Sequence, residues 1–353
     1  MEERRQITSR NWLISFIYYG ILFGAFLLIF VFLIDPCCKY RVVDHKFFFF
    51  ERYVEPGLIT NYEYDTLIIG SSMVQNFDMT LVQERMGVSP LLIGVSGMRA
   101  TDLTKLIKKS EEKDHRKTYY ICVDLDMFLS DSQLIPEYLY RDDIISKCKY
   151  ATSYEAWFRF IPMDVGVSIL KKMGYNVTER FMAMDINRFS NWSYNASFGK
   201  NRVIGIYLDN KQAVSEYNND NIEENMQARM NRFIEELNFN CADYVFFFPP
   251  YSALWWYRIE NNGLGESYYD LKKDFVNKVS DKAVVYDFQY ADLTLDLDNY
   301  RDPSHYSPEI NDWMVEQFVK REYTTAAEDI ETHITLLKRN IKKFREENQW
   351  LFE

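Results

Sequence analysis

Histidine is scarce in this chain of 353 residues, which carries only four, and the five cysteines are as thinly spread. Cys37, Cys38, Cys122, Cys148 and Cys241 form an odd, scattered set that fits neither a paired disulfide framework nor a zinc-ligand spacing, so no metal or cofactor is expected from them. A basic surplus is also lacking: 41 Lys and Arg stand against 52 Asp and Glu, a formal net charge of −11. Nothing is left over to neutralise phosphates, and nucleic acid is not an expected partner. Internal repeats and low-complexity linkers are absent too. What the chain does have is a 47% apolar content and 17% aromatics, enough to exclude global disorder and to fill a substantial core.

Between Trp12 and Ile34 there is no charged residue. At about 1.5 Å per residue this run makes a helix of roughly 34 Å, long enough to cross the hydrocarbon core of a bilayer. A cleaved signal peptide is the competing reading, but the run is too long for one and no small-x-small site follows it. Cys37 and Cys38 follow closely, although Leu33-Ile34-Asp35-Pro36 lacks the small residues of a lipoprotein cleavage site. Arg4, Arg5 and Arg10 precede the run and Lys39 and Arg41 follow it, so the positive-inside rule puts the N-terminus in the cytoplasm and everything after Asp35 outside. Gly20 and Gly24, with Ala25, form a small-residue face that would admit a partner helix. The expected organisation is a cytoplasmic N-terminus (1–11), a transmembrane helix (12–34), a juxtamembrane segment (35–61), an α/β domain (62–325) and an amphipathic C-terminal helix (326–353). Phe47 to Phe50 is read as packing or interfacial.

Five short runs rich in Val, Ile and aromatics read as buried strands: Thr66 to Ile69, Leu91 to Ile93, Tyr119 to Val123, Tyr244 to Phe248 and Val284 to Tyr286. Helix-compatible segments separate the first three, the rhythm of βαβ units and a parallel sheet. The expected fold is a three-layer α/β sandwich with five parallel strands. The interval between the third and fourth runs exceeds a simple crossover, so residues of about 128–217 are read as an insertion. Asn218 to Leu237, Pro308 to Val319 and Ala326 to Phe344 carry helical periodicity, the last with Ile330, Ile334, Leu337 and Ile341 on one face.

Ligands in open α/β sheets bind beyond the carboxyl ends of the strands. Gly70-Ser71-Ser72 stands there after the first run and can present a serine together with free backbone N–H groups, although an N-capping serine has the same signature. Gly94-Val95-Ser96-Gly97 after the second run is another flexible turn, with Gly97 as an unhindered donor. After the fifth run, Asp302 precedes His305 by three residues, a spacing that can seat the acid behind the imidazole and leave the other ring nitrogen for a serine proton. The remaining histidines offer less: His45 is beside the membrane, and His115 and His333 lie in charged helical context and read as solvated. Pro249, Pro250 and Tyr251, with Trp255, Trp256 and Tyr257, follow the fourth run; they read either as lid core or as exposed aromatics that stack on sugar rings. Three glycosylation sequons at Asn176, Asn191 and Asn195 are read as chance.

These three blocks, each after a strand, resemble the SGNH/GDSL hydrolase superfamily over roughly residues 62 to 320. The resemblance implies a flavodoxin-like fold and assigns Ser72 as nucleophile, Gly97 as the block-two oxyanion donor, and Asp302 and His305 as the remainder of a triad. The block-three asparagine is replaced by Leu125 in Val123-Asp124-Leu125-Asp126, and the block-two asparagine by Leu92. The N-terminal anchor further resembles the membrane-bound branch that holds DltD-type D-alanine transfer proteins and SGNH proteins associated with membrane-bound O-acyltransferases. That likeness implies a bacterial envelope acyltransferase or esterase acting on a cell-envelope polysaccharide or teichoic acid, with Ser72 and Gly97 N–H groups as its oxyanion hole; Tyr251, Trp255 and Trp256 are candidate substrate contacts by their place after the fourth run alone. The alternative is a non-catalytic assembly subunit that docks a membrane-bound O-acyltransferase through Gly20 and Gly24.

Overall fold

The computed structural model describes residues 2–42, 51–113, 116–153, 155–156, 173, 197–209 and 222–352. Phe47 to Phe50, His45, His115, the sequon asparagines and most of the expected insertion lie outside them. The chain begins with α1 (Glu2–Ile34), of which Arg10–Ile34 is long and apolar enough to cross a membrane. Helix α2 (Glu51–Asn61) then leads into β1 (Thr66–Gly70), α3 (Met79–Met86), β2 (Pro90–Gly94), α4 (Ala100–Glu111) and β3 (Thr118–Cys122). The described part of the insertion contributes α5 (Glu137–Tyr140), α6 (Ile144–Thr152) and α7 (Lys200–Asp209). After α8 (Ile222–Glu236) come β4 (Asp243–Phe248), α9 (Ala253–Asn261), α10 (Gly265–Val279) and β5 (Val284–Asp287). The chain closes with α11 (Pro308–Lys320), β6 (Thr324–Thr325) and α12 (Ile330–Glu347).

The sheet runs β2-β1-β3-β4-β5-β6, with the first five strands parallel. Every residue of β1 is buried, as are the last four of β2 and the last five of β4, because helices cover both faces. This is why these strands are continuous apolar runs rather than alternating ones. Helices α3 and α11 pack together on one face, and α4, α8 and α10 cover the other, where α2 joins α4.

The all-parallel, five-stranded expectation is corrected by β6, which pairs antiparallel with β5 through Thr324 and Thr325. Arg321 (φ 57°) ends α11 in the left-handed region and Tyr323 (φ 65°) repeats that conformation, so the chain reverses and lays two residues along β5. A pairing so short has no alternation to read. The amphipathic stripe of α12 seats on α9 and α10, burying Ile330, Ile334, Leu337, Ile341 and Phe344.

The described segment following α1 packs into the domain. Asp35 is fully buried, and its carboxylate accepts from the N–H groups of Lys39 (2.9 Å), Tyr40 (2.8 Å) and Arg41 (3.1 Å) and from the Tyr150 hydroxyl (2.8 Å). Cys37 and Cys38 are buried thiols, not joined in a disulfide, beside α2. A Cβ on Gly57 would fall 2.3 Å from the Cys37 carbonyl oxygen, so glycine alone lets α2 approach the knot. Val31, in the last turns of α1, is already part of the core.

Candidate active site

Three loops converge at the carboxyl ends of β1, β2 and β5. Gly70 closes β1 where a side chain would collide with Cys122 Cβ at 2.5 Å, and Ser71 caps the short 3-10 turn Ser72–Val74. This turn points Ser72 Oγ to His305 Nε2 at 2.8 Å. On the far side of the ring, His305 Nδ1 is 2.8 Å from Asp302 Oδ2 and 3.0 Å from Oδ1. The expected trio is thus one hydrogen-bonded chain, although 230 residues separate its serine from its acid.

The Asp302-Pro303-Ser304-His305 turn is held from within and from outside. Asp302 Oδ1 accepts from the backbone N–H groups of Ser304 and His305, both at 3.0 Å, and from the Ser304 hydroxyl at 3.0 Å. Burial pushes the Asp302 carboxyl upward, but the His305 ring and these donors outweigh it and hold the acid well below the usual carboxylate range. From outside, the Tyr300 hydroxyl donates to Pro250 O (2.8 Å), the Tyr306 hydroxyl donates to Met73 O (2.8 Å), and Ser252 Oγ donates to Pro303 O (2.5 Å). The Tyr306 bond joins the histidine loop directly to the serine turn. The ring nitrogens cannot leave this geometry without breaking several of these bonds.

Among the described residues, the backbone N–H groups of Ser72 and Gly97 donate to no protein acceptor. Gly97 has φ +70°, which favours glycine, and a Cβ there would meet nothing within 4 Å. The turn that carries it is braced by α2: Glu55 Oε1 accepts from Gly94 N at 2.8 Å, and Arg52 donates to Ser96 O at 3.1 Å. Gln75 Nε2 donates to Gly94 O at 2.6 Å. Burial and the neighbouring Glu51 push the Glu55 carboxyl well up.

Leu125 is fully buried and has no donor to offer. The residue before it has a part that sequence reasoning missed. Asp124 accepts from the Ser71 hydroxyl (2.8 Å), the Tyr251 hydroxyl (2.5 Å) and Asp126 N (3.1 Å), so one carboxylate ties the loops after β1, β3 and β4 together. Its position just past β3, at the same edge as Ser72, was the available signal.

Two expectations are corrected. Tyr251, Trp255 and Trp256 are 2%, 6% and 0% exposed, so none is free to stack on a sugar. Tyr251 stacks on Trp255 with centroids 4.1 Å apart, and Trp256 stacks on Tyr269 of α10; α9 turns its aromatic face inward. His333 is not solvated either. It packs over Tyr290 at 4.3 Å, with Nδ1 3.8 Å from Asp287 Oδ2.

No family model matches this chain, and neither does any curated protein.

Proposed function

We propose that this protein is a membrane-anchored serine O-acyltransferase or esterase of SGNH type. Ser72 is the nucleophile, His305 the general base and then acid, and Asp302 the residue that fixes the imidazole. The observation that carries the reading is the unbroken Ser72–His305–Asp302 hydrogen-bonded chain at the carboxyl edge of a parallel sheet. Asp302, held ionised, keeps the proton on Nδ1, so Nε2 is the lone pair that faces Ser72.

In the first half-reaction Ser72 Oγ bonds to the acyl carbon while its proton passes to His305 Nε2. The carbonyl electron pair moves onto oxygen, where the N–H groups of Ser72 and Gly97 receive it. Collapse expels the donor's leaving group with the His305 proton and leaves an acyl-serine. An acceptor hydroxyl, or water, then repeats the sequence in reverse and frees Ser72.

The anchor and the outward placement given by the flanking arginines favour an acceptor in a bacterial envelope, a polysaccharide or teichoic acid. The test uses the full-length chain in detergent micelles with a neutral fluorophosphonate, locating the adduct by peptide mass spectrometry. The expected result is an adduct on Ser72 that disappears in Ser72→Ala and His305→Ala. A folded, unlabelled wild type overturns the proposal.

One observation favours a second reading, an assembly subunit of a membrane-bound O-acyltransferase. A Cβ on either Gly20 or Gly24 would meet nothing within 4 Å, so that face of α1 is open to another helix. Full cellular function in Ser72→Ala would favour it.

A further inference from the structure

Strand β1 lies between β2 and β3. Strands in a sheet are about 4.8 Å apart, so a side chain joining the turn after β2 to the loop after β3 passes the end of β1, where Ser72 stands. Arg99 is such a side chain. It sits two residues beyond Gly97, at the N-cap of α4, and its Nη1 donates to Asp126 O at 2.6 Å. That carbonyl belongs to the residue next to Leu125, in the loop that lacks an amide donor.

The guanidinium is otherwise unclaimed. Among the described residues this is its one hydrogen bond, and it takes part in no ion pair. Nε is buried without a partner, whereas Nη2 is neither bonded nor among the buried unpartnered atoms, so its hydrogens meet solvent. A partly buried charge with no counter-charge is costly for a fold. Its place adds to the cost, because a cation at a helix N-terminus opposes the helix dipole, and Arg99 makes no side-chain cap bond in return. Local stability therefore does not account for an arginine here, whereas a developing negative charge beside Ser72 does.

We propose that Arg99 is a catalytic residue that donates through Nη2 to the acyl oxygen as it becomes an oxyanion, supplying the side-chain donor that Leu125 cannot. The proposal rests on the Ser72 reading above. No proton leaves Arg99 during the cycle: Ser72 Oγ gives its proton to His305, the carbonyl pair moves to oxygen and back, and the leaving group departs with the His305 proton. The guanidinium stays charged throughout and only its hydrogen bond shortens.

The test compares wild type, Arg99→Gln and Arg99→Lys as full-length protein in micelles. The readouts are the rate of Ser72 phosphonylation by a neutral fluorophosphonate, turnover of a neutral p-nitrophenyl ester, and the unfolding midpoint. Removing one oxyanion donor costs about 10²–10³ in rate, so Arg99→Gln is expected to label and turn over that much more slowly with KM nearly unchanged. Arg99→Lys is expected to recover part of the loss, Arg99→Gln to unfold at or above the wild-type midpoint because it removes an uncompensated charge, and both variants to keep the wild-type pH dependence of labelling. A wild-type labelling rate in Arg99→Gln overturns the proposal. So does a loss confined to KM for phosphate- or carboxylate-bearing substrates, which would make Arg99 a substrate-recognition residue instead. A rate loss accompanied by a lowered midpoint in both variants overturns it as well. If wild type itself is not labelled at Ser72, the nucleophile assignment fails first and this proposal falls with it.

Discussion

Two acid–base clusters stand at the carboxyl edge of the same sheet, and each contains one histidine and one aspartate. At β1 and β5, Ser72, His305 and Asp302 form a chain whose ring and acid side chains are 29% and 23% exposed. Behind the end of β5, Lys272 and Asp287 are wholly buried, with Lys272 Nζ donating to Asp287 Oδ1 (2.8 Å) and Gln289 Oε1 (2.9 Å). His333 of α12 closes that cluster. The first places a serine hydroxyl at its half-buried end and uses both ring nitrogens. The second has a cation at its centre, with Lys272 Nζ also 2.8 Å from Asp287 Oδ2, no serine, and two buried nitrogens, Gln289 Nε2 and His333 Nδ1, that make no hydrogen bond among the described residues. The same residue types therefore do different work. Access and hydrogen-bond order suit the first to the proposed chemistry, while burial around a charge pair makes the second an internal tie between α10, β5 and α12.

The sharpest way to break this comparison is to change the aspartate in the first cluster. Under the proposed mechanism Asp302→Asn supplies the wrong tautomer to His305 and lowers turnover by about 10⁴-fold, as in other serine triads, and it also lowers the unfolding midpoint at neutral pH. Acid acts on the fold through the same residue. Because the native carboxyl is held low, its stabilisation is fully present above about pH 4, where the unfolded group is ionised, and is lost as pH falls through the native value. Stability curves against pH for wild type and Asp302→Asn should therefore converge only in strong acid.

Lys272→Met should do the reverse. Removing one member of a buried pair costs about 3–5 kcal/mol in chemical unfolding while leaving the Ser72 labelling rate of the folded fraction unchanged. Adding Asp287→Leu should return much of the loss, since a buried pair replaced by apolar groups is often neutral. A labelling rate that fell with Lys272→Met would show the two clusters to be coupled.

The smallest effect belongs to His333. Burial lowers its affinity for a proton, and Lys272 adds to this against the pull of Asp287 and Asp329. Unfolded chains take up a proton below about pH 6.5 that folded chains refuse, so stability falls with pH from there until the native value is passed. His333→Gln should flatten that limb of the stability curve and leave the others unchanged. An identical slope in the variant would remove His333 as its source.

How much of this was legible in the sequence depended on distance along the chain. The five parallel strands could be read because burial on both faces writes itself as an unbroken apolar run, as in Thr66-Leu67-Ile68-Ile69. Asp302 and His305 could be read because three residues suffice to bring acid to ring. The β6 pairing could not, having two residues and a reversal through left-handed Arg321 and Tyr323. Nor could the inward turn of Trp255 and Trp256, since an aromatic run after a strand has the same composition whether it lines a cleft or fills a core. Asp124 and Asp35 were illegible for another reason: their partners are far away, Tyr251 for the one and Tyr150, 115 residues distant, for the other. Such hubs exist only once the loops have met.

The Asp35 knot also bears on what the proposed site could reach. A domain on a flexible leash of n residues roams about 5–6 Å × √n from its post and can chase a slow polymer. Here Val31 of α1 is already inside the domain core, and Asp35 pins the chain that leaves it. With α1 in a bilayer, the protein is a mast and not a kite: the height and heading of its working edge are set by one helix, and encounters depend on what drifts past that fixed point.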